Sequence, residues 1–277
     1  MNPDLHCHSS FSDGNHSPDF LLSRAAENGV THLAITDHDC TTALEIPLVE
    51  HYGVTLIPGV EISCQWETWE VHLVGLGIEI NNPELQNLLR EQQIARKQRM
   101  ELIAEQLRKH DADGLMEYLH QLPCTAYTRS HAADFLVNSG KAKNKQSAFK
   151  KFLGKKAKAY VPFQWQSLTK AITTIRSAAG LAVLAHPGRY SFSKRKLESF
   201  IEVFSESGGD AIEASYGGID PVMQKKLEGL AERNCLSISV GSDFHNADAH
   251  WTDIGEYPRP SATAIKNAIW NHPRWHF

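Results

Sequence analysis

A parallel α/β fold that closes into a barrel and carries a helical insertion is what this sequence predicts, on three observations. Strand and helix signals alternate over residues 2–77 and resume after 164, the rhythm of βαβ units. Residues 97–163 break that rhythm and contain no strand-like run. His6-Cys7-His8 near the start is answered by Asp243-Phe244-His245 near the close. On a strand, an i,i+2 pair points both side chains to one face. A matched pair at both ends therefore predicts that the first and last strands meet, as in a closed barrel.

Residues 2–6 read as a short first strand. Ser17-Pro18 starts a helix that Gly29 ends, since serine caps well and proline suits the first turn. Residues 31–36 form a buried strand, followed by a helix over 41–51. Residues 54–61 and 70–77 are the next strands. From Asn82 to Leu122 the apolar spacing turns helical, carried by Leu85, Leu88, Leu89, Met100, Ile103 and Leu107. Strands over 181–185, 211–214 and 237–241 then alternate with helices near 167–179, 194–207 and 221–234. A last helix near 262–270 is expected on the outside. These limits give a barrel of residues 1–96 and 164–277 and a helical insertion of 97–163.

The length of 277 residues suits one barrel-sized domain with an elaboration. The net charge of −4 argues weakly against a nucleic-acid binder but hides an asymmetry. Between Arg129 and Lys158, nine Lys/Arg against one acid leave the segment at +8 and the remainder at −12. Five scattered cysteines never form CxxC, no signal peptide precedes the first strand, and no apolar run approaches a membrane span. A reducing cytoplasmic setting with free thiols, no membrane and no obligate protein partner is the expectation.

The chemistry-bearing residues gather at or just beyond the C-terminal ends of the predicted strands, where α/β barrels assemble their sites. His6 and His8 follow the first strand, His38 the second, and Glu61 ends the third. His186 and the Asp243/His245 pair follow later strands, Asp13 lies in the loop after His8, and His72 faces inward on its strand. Imidazoles and carboxylates on one face suit an ion of the zinc, manganese or iron type. Other histidines (His32, His51, His110, His120, His272 and His276) are assigned to the surface or to packing, and Glu70 to solvent.

Taken together, His6-x-His8-Ser9, Ser12-Asp13-Gly14, Thr36-Asp37-His38-Asp39, Pro58-Gly59-Val60-Glu61, Val71-His72, Ala185-His186-Pro187 and Ser242-Asp243-Phe244-His245 resemble the motif set of the PHP (polymerase and histidinol phosphatase) family. The resemblance implies a distorted (βα)7 barrel holding two or three divalent metal ions, manganese first, with zinc or iron as alternatives. It implies nine ligands: His6, His8, Asp13, His38, Glu61, His72, His186, Asp243 and His245. By analogy Glu61 bridges two ions, with His6, His8 and Asp243 on one of them, and Asp13, His38 and His245 hold the third. The insertion, Thr128-Arg129-Ser130-His131 and His186-Pro187-Gly188-Arg189 are similar to a subgroup of nucleoside 3′,5′-bisphosphate phosphatases that also act as 5′→3′ exoribonucleases.

Such a centre needs no protein nucleophile, because clustered cations activate water and neutralise phosphoryl charge. Arg129 and Arg189 can each grip a phosphate with a bidentate fork. Together with His131 they are expected to hold the 5′-phosphate of a bisphosphate, or of a short 5′-phosphorylated RNA, beneath the insertion. The rival readings are a small-molecule phosphomonoesterase, such as a histidinol-phosphate phosphatase, and a non-catalytic metal-binding module. Trp66, Trp69, Tyr190 and Tyr216 are assigned to packing ahead of base stacking.

Overall fold

The structure of the protein is a computed structural model that describes residues 1–47, 52–248 and 252–277. Its frame is one sheet in the order β1 (Pro3–Cys7), β2 (His32–Ile35), β3 (Thr55–Trp66), β4 (Trp69–Leu76), β6 (Leu181–Leu184), β7 (Ala211–Tyr216) and β8 (Ser237–Gly241), with the short β5 (Gln166–Ser167) paired to β3. The two edges meet. Cys7 and Phe244 form a parallel bridge, the His8 N–H donates to the Phe244 carbonyl at 2.9 Å, and the Asp243 N–H donates to the His6 carbonyl at 2.8 Å. Gly241 permits this seam, since a Cβ there would collide with His6. The result is the nearly closed α/β barrel expected from the matched terminal motifs.

Two expectations about the strands are corrected. The sheet is not parallel throughout, because β4 runs antiparallel to both β3 and β6. Only Glu67 and Thr68 separate β3 from β4, which is enough for a hairpin and far too short for a parallel crossover. The third strand also does not end at Glu61. It pairs with β2 up to Pro58 and then with β4 from Gly59 to Trp66, leaving Glu61 mid-strand.

Helices α1 (Pro18–Glu27), α7 (Leu168–Ser177), α8 (Lys194–Glu206) and α9 (Pro221–Arg233) flank the sheet, with Ser17, Ser167, Ser193 and Asp220 capping them. Phe200, Phe204, Ile172, Ile175 and Leu227 from this layer pack against Ile212, Leu184 and Ile62 of the strands. Short helices α2 (Thr42–Glu45) and α10 (Ala262–Ile265) stand where longer ones were expected, and positions 48–51, including His51, lie outside the described residues.

Helix α3 (Pro83–Arg108) belongs to two cores at once. Its Leu85, Leu88 and Leu89 join the barrel core, whereas Met100, Ile103 and Leu107 join a separate cluster with Leu115 and Leu119 of α4 (Leu115–Leu119). Ala132, Phe135 and Leu136 of α5 (Arg129–Asn138) and Phe152 complete that cluster. The sequence boundary at residue 97 therefore falls inside one continuous helix, between its two apolar halves. The basic lysines lie on the loop after α5, on α6 (Lys145–Ala148) and on the turns after it, mostly exposed.

Candidate metal centre

Strand pleating and the seam deliver the nine sequence-predicted donors to one place. Glu61 lies at the middle. Its Oε2 is 3.0 Å from His38 Nδ1, 3.3 Å from His8 Nε2 and 3.5 Å from His6 Nε2. Its Oε1 is 3.0 Å from His186 Nε2 and 3.1 Å from His72 Nδ1. Asp243 Oδ1 approaches His8 Nε2 at 3.3 Å and His6 Nε2 at 3.4 Å. Asp13 Oδ1 approaches His245 Nε2 at 3.3 Å and His38 Nε2 at 3.7 Å. These atoms fall into four overlapping groups: His8/Asp13/His38/His245, His6/Glu61/His186, His6/His8/Asp243 and His38/Glu61/His72.

The rings are aimed from behind. His6 Nδ1 bonds Glu213 Oε1 at 2.6 Å, and the other oxygen of Glu213 accepts the His186 N–H at 2.6 Å. His8 Nδ1 meets the Ser12 hydroxyl at 3.3 Å, and that hydroxyl donates to Asp37 at 2.6 Å. His245 Nδ1 donates to the Asp243 carbonyl at 2.9 Å. Each of these three rings therefore turns Nε2 toward the carboxylates, the arrangement that fixes tautomer and orientation around bound metals. His186 (φ 32°) and Asp243 (φ 52°) adopt left-handed backbone without being glycine. Such conformations cost about 1–3 kcal/mol each and gather at functional sites.

Charge inside the cluster is unbalanced in a telling way. Burial pushes the Glu61 carboxyl up, but His38, His72 and His6 together hold it well below the usual carboxylate range. Burial likewise opposes, and Arg189 and His6 overcome, the shift of Asp243, while His38 and His245 do the same for Asp13. All three are therefore anionic at neutral pH. Burial lowers His38 and His186 despite Glu61, whereas the surrounding carboxylates overcome burial at His6, His8 and His72 and raise them. Four of the six buried side-chain polar atoms without a hydrogen-bond partner among the described residues are here: Asp13 Oδ1, His38 Nδ1, Glu61 Oε2 and His186 Nδ1. Each orphan costs about 1–3 kcal/mol unless something completes it. Convergent imidazoles, anionic carboxylates and open lone pairs fit divalent metal ions, which would take the place of protons on the raised histidines.

Beside the cluster lies a cavity of about 140 Å³, with Asp13, His38 and His72 on one wall and Arg96, Arg99, Thr128 and Arg129 on the other. Arg96 is spent on Asp39, Ser63 and the Tyr127 carbonyl. Glu70 links Arg99 (3.3 Å), Arg129 (3.0 Å) and the Trp165 indole N–H (2.8 Å), so its assignment to solvent is corrected. Arg99 is buried, which lowers its pKa to about 10 against the pull of Glu70, yet it stays charged at neutral pH and its Nη2 has no partner.

The other two expected phosphate contacts stand differently. The Thr128 N–H donates to His131 Nδ1 at 3.0 Å, and His131 Nε2 lies 2.9 Å from the Ser12 carbonyl. Both ring nitrogens are thus consumed in capping α5 and fastening it to the Asp13 loop. This corrects its expected role as a substrate contact. Arg189 lies outside the Arg129 cavity, paired with Asp243 and donating to the Gly217 carbonyl at 3.1 Å. Sequence reasoning missed Glu213, Arg96 and Arg99. The available signals were an acid inside the apolar run Ala211-Ile212-Glu213-Ala214, and Gln92, Arg96 and Arg99 at i, i+4, i+7 on α3.

Comparisons with known proteins agree with this geometry. The chain is 43% identical over 258 residues to the 5′-3′ exoribonuclease Rnm of Escherichia coli, covering 91% of this chain and 87% of that one. It is 36% identical over 260 residues to a 3′,5′-nucleoside bisphosphate phosphatase of Chromobacterium violaceum, covering 92% and 90%. An amidohydrolase structure from Chromobacterium violaceum with bound sulfate superposes with a TM-score of 0.88 at 34% identity, over 98% of this chain and 95% of that one. The PHP domain profile matches residues 4–209, which hold seven of the nine clustered donors. With that match and with relatives similar over nine-tenths of its length, this chain belongs to the PHP domain family.

Proposed function

We propose that this protein hydrolyses the 3′-phosphoester of 5′-phosphorylated nucleotides, taking nucleoside 3′,5′-bisphosphates and the 5′-phosphorylated ends of RNA. The observation that carries this reading is the adjacency of nine convergent donors, four of whose atoms are orphaned, to a cavity walled by Arg99 and Arg129. The activities for which the bacterial relatives are named support it.

In this reading His6, His8, Asp13, His38, Glu61, His72, His186, Asp243 and His245 hold two or three divalent ions. Manganese is the first candidate, with zinc and iron as alternatives, since imidazole and carboxylate donors without a thiolate admit all three. Bound there, such ions lower the pKa of water and neutralise phosphoryl charge. Arg129 and the open Nη2 of Arg99 take the substrate's 5′-phosphate, which sets how far from that phosphate the scissile bond lies. In the reaction a water oxygen joins phosphorus, the P–O3′ bond breaks, and O3′ leaves with a proton. Five free cysteines fit work in a reducing cytoplasm, and no helix among the described residues is long and apolar enough to cross a membrane.

The test is turnover by purified protein with Mn²⁺ on adenosine 3′,5′-bisphosphate, a 5′-phosphorylated RNA oligomer and histidinol phosphate. Hydrolysis of the first two is expected. Turnover of histidinol phosphate alone, or of nothing, overturns the reading.

A further inference from the structure

Apart from the Arg129 cavity lies a second cleft, of about 380 Å³, between the Pro187–Arg189 turn and α9. It shares no lining residue with the arginine-walled cavity and touches the cluster through Arg189, whose guanidinium pairs with Asp243. Its volume lies within the range of about 300–1,000 Å³ common for ligand pockets, whereas 140 Å³ admits little beyond a phosphate. Three features make it suit a nucleotide. Arg189 lies over the Tyr216 ring at 5.3 Å, giving one wall a positive face. Lys226 makes no ion pair among the described residues. Val222 stands 78% exposed at the rim, next to the half-buried Met223.

We propose that this cleft receives the nucleotide on the 3′ side of the scissile phosphate. The proposal rests on the hydrolytic reading above. When the P–O3′ bond breaks, phosphorus stays with the downstream strand as its new 5′-phosphate. A group tethered to that phosphorus needs room beside the cluster apart from the cavity that holds the first nucleotide's 5′-phosphate, and this cleft reaches the cluster through Arg189. In a bisphosphate that position holds only an oxygen, so the cleft matters for RNA and little for the small substrate. Lys226 meets the next backbone phosphate, and Val222 and Met223 give the base an apolar rest.

The experiment compares wild type with Lys226→Glu and Val222→Asp, two surface changes whose folding is checked by thermal melting. kcat/KM is measured with Mn²⁺ on adenosine 3′,5′-bisphosphate and on a 5′-phosphorylated RNA oligomer. Each variant is expected to lose about tenfold more on RNA than on the bisphosphate. Equal losses on both substrates, or undiminished RNA turnover, overturn the subsite while leaving the hydrolytic reading intact. A wild type that turns over the bisphosphate but no RNA overturns the subsite and the RNA half of that reading. A wild type that turns over neither removes the reading itself.

Discussion

The floor of the barrel mouth and its arginine wall treat charge in opposite ways. On the floor, Asp13, Glu61, His38 and His186 each keep a buried polar atom without a hydrogen bond. On the wall, Arg96 is fully engaged, Arg129 and Arg99 share Glu70, and the buried nitrogen without a hydrogen bond among the described residues is Arg99 Nη2. A protein completes its own charges where it needs rigidity and leaves them open where something else must complete them. The floor is built to be finished by cations, and the wall is partly finished, with donors of Arg99 and Arg129 in reserve for an anion.

The largest effect expected from breaking this contrast is at Asp243. Asp243→Ala removes an anion from the floor and should lower kcat about a thousandfold or more. Wild type stripped by chelation and then reloaded with Mn²⁺ should gain about 4 kcal/mol of stability at a thousandfold excess over Kd. The variant should gain less, read by thermal melting. A fully active variant with the wild-type gain would take Asp243 out of the centre.

A smaller effect is expected on the wall. Arg129→Ala removes one charged fork, and a hydrogen bond between charged groups is worth about 1.5–3 kcal/mol. kcat/KM on 5′-phosphorylated RNA should fall about 10–100-fold, with a far smaller loss on the same oligomer bearing a 5′-hydroxyl. Equal losses on the two would refute the phosphate contact.

The smallest effect belongs to an ordinary charge pair away from both surfaces, Arg24 with Asp253. Burial pushes the Asp253 carboxyl up slightly, but Arg24 and the Ile254 N–H hold it below its usual value of 3.8. A depressed carboxyl stabilises above its unfolded pKa and loses that contribution as pH falls through the folded one. Arg24 is 37% exposed, so Asp253→Asn should cost only about 0.5 kcal/mol at neutral pH. The difference in urea melts between wild type and variant should vanish as pH falls below 3.8 toward the folded value. A larger penalty that persists in acid would mean the pair is doing more than a surface pair does.

The floor was legible in the sequence because its donors come in strand-spaced pairs, as at His6/His8 and Asp243/His245, or stand at the ends of apolar runs, as at His38 and His186. The hairpin was not legible, since its two-residue turn of Glu67 and Thr68 lacks the Asn-Gly or Asp-Gly signal of tight reversals. The wall was harder still. Arg96 and Arg99 sit on a helix rich in polar residues, many of them exposed, and spacing alone does not separate an arginine solvating a helix from one aimed into a barrel. His131 misled for a related reason: its place beside Arg129 suggested a ligand contact, whereas its ring closes the cap of α5.

The seam between β1 and β8 has a consequence for how the protein is made. Asp243 and His245 leave the ribosome more than two hundred residues after His6 and His8. At about 5–20 residues per second, roughly 10–50 s of translation separate the two halves of the floor. Until β8 docks beside β1, the nascent chain has only part of its ligand set.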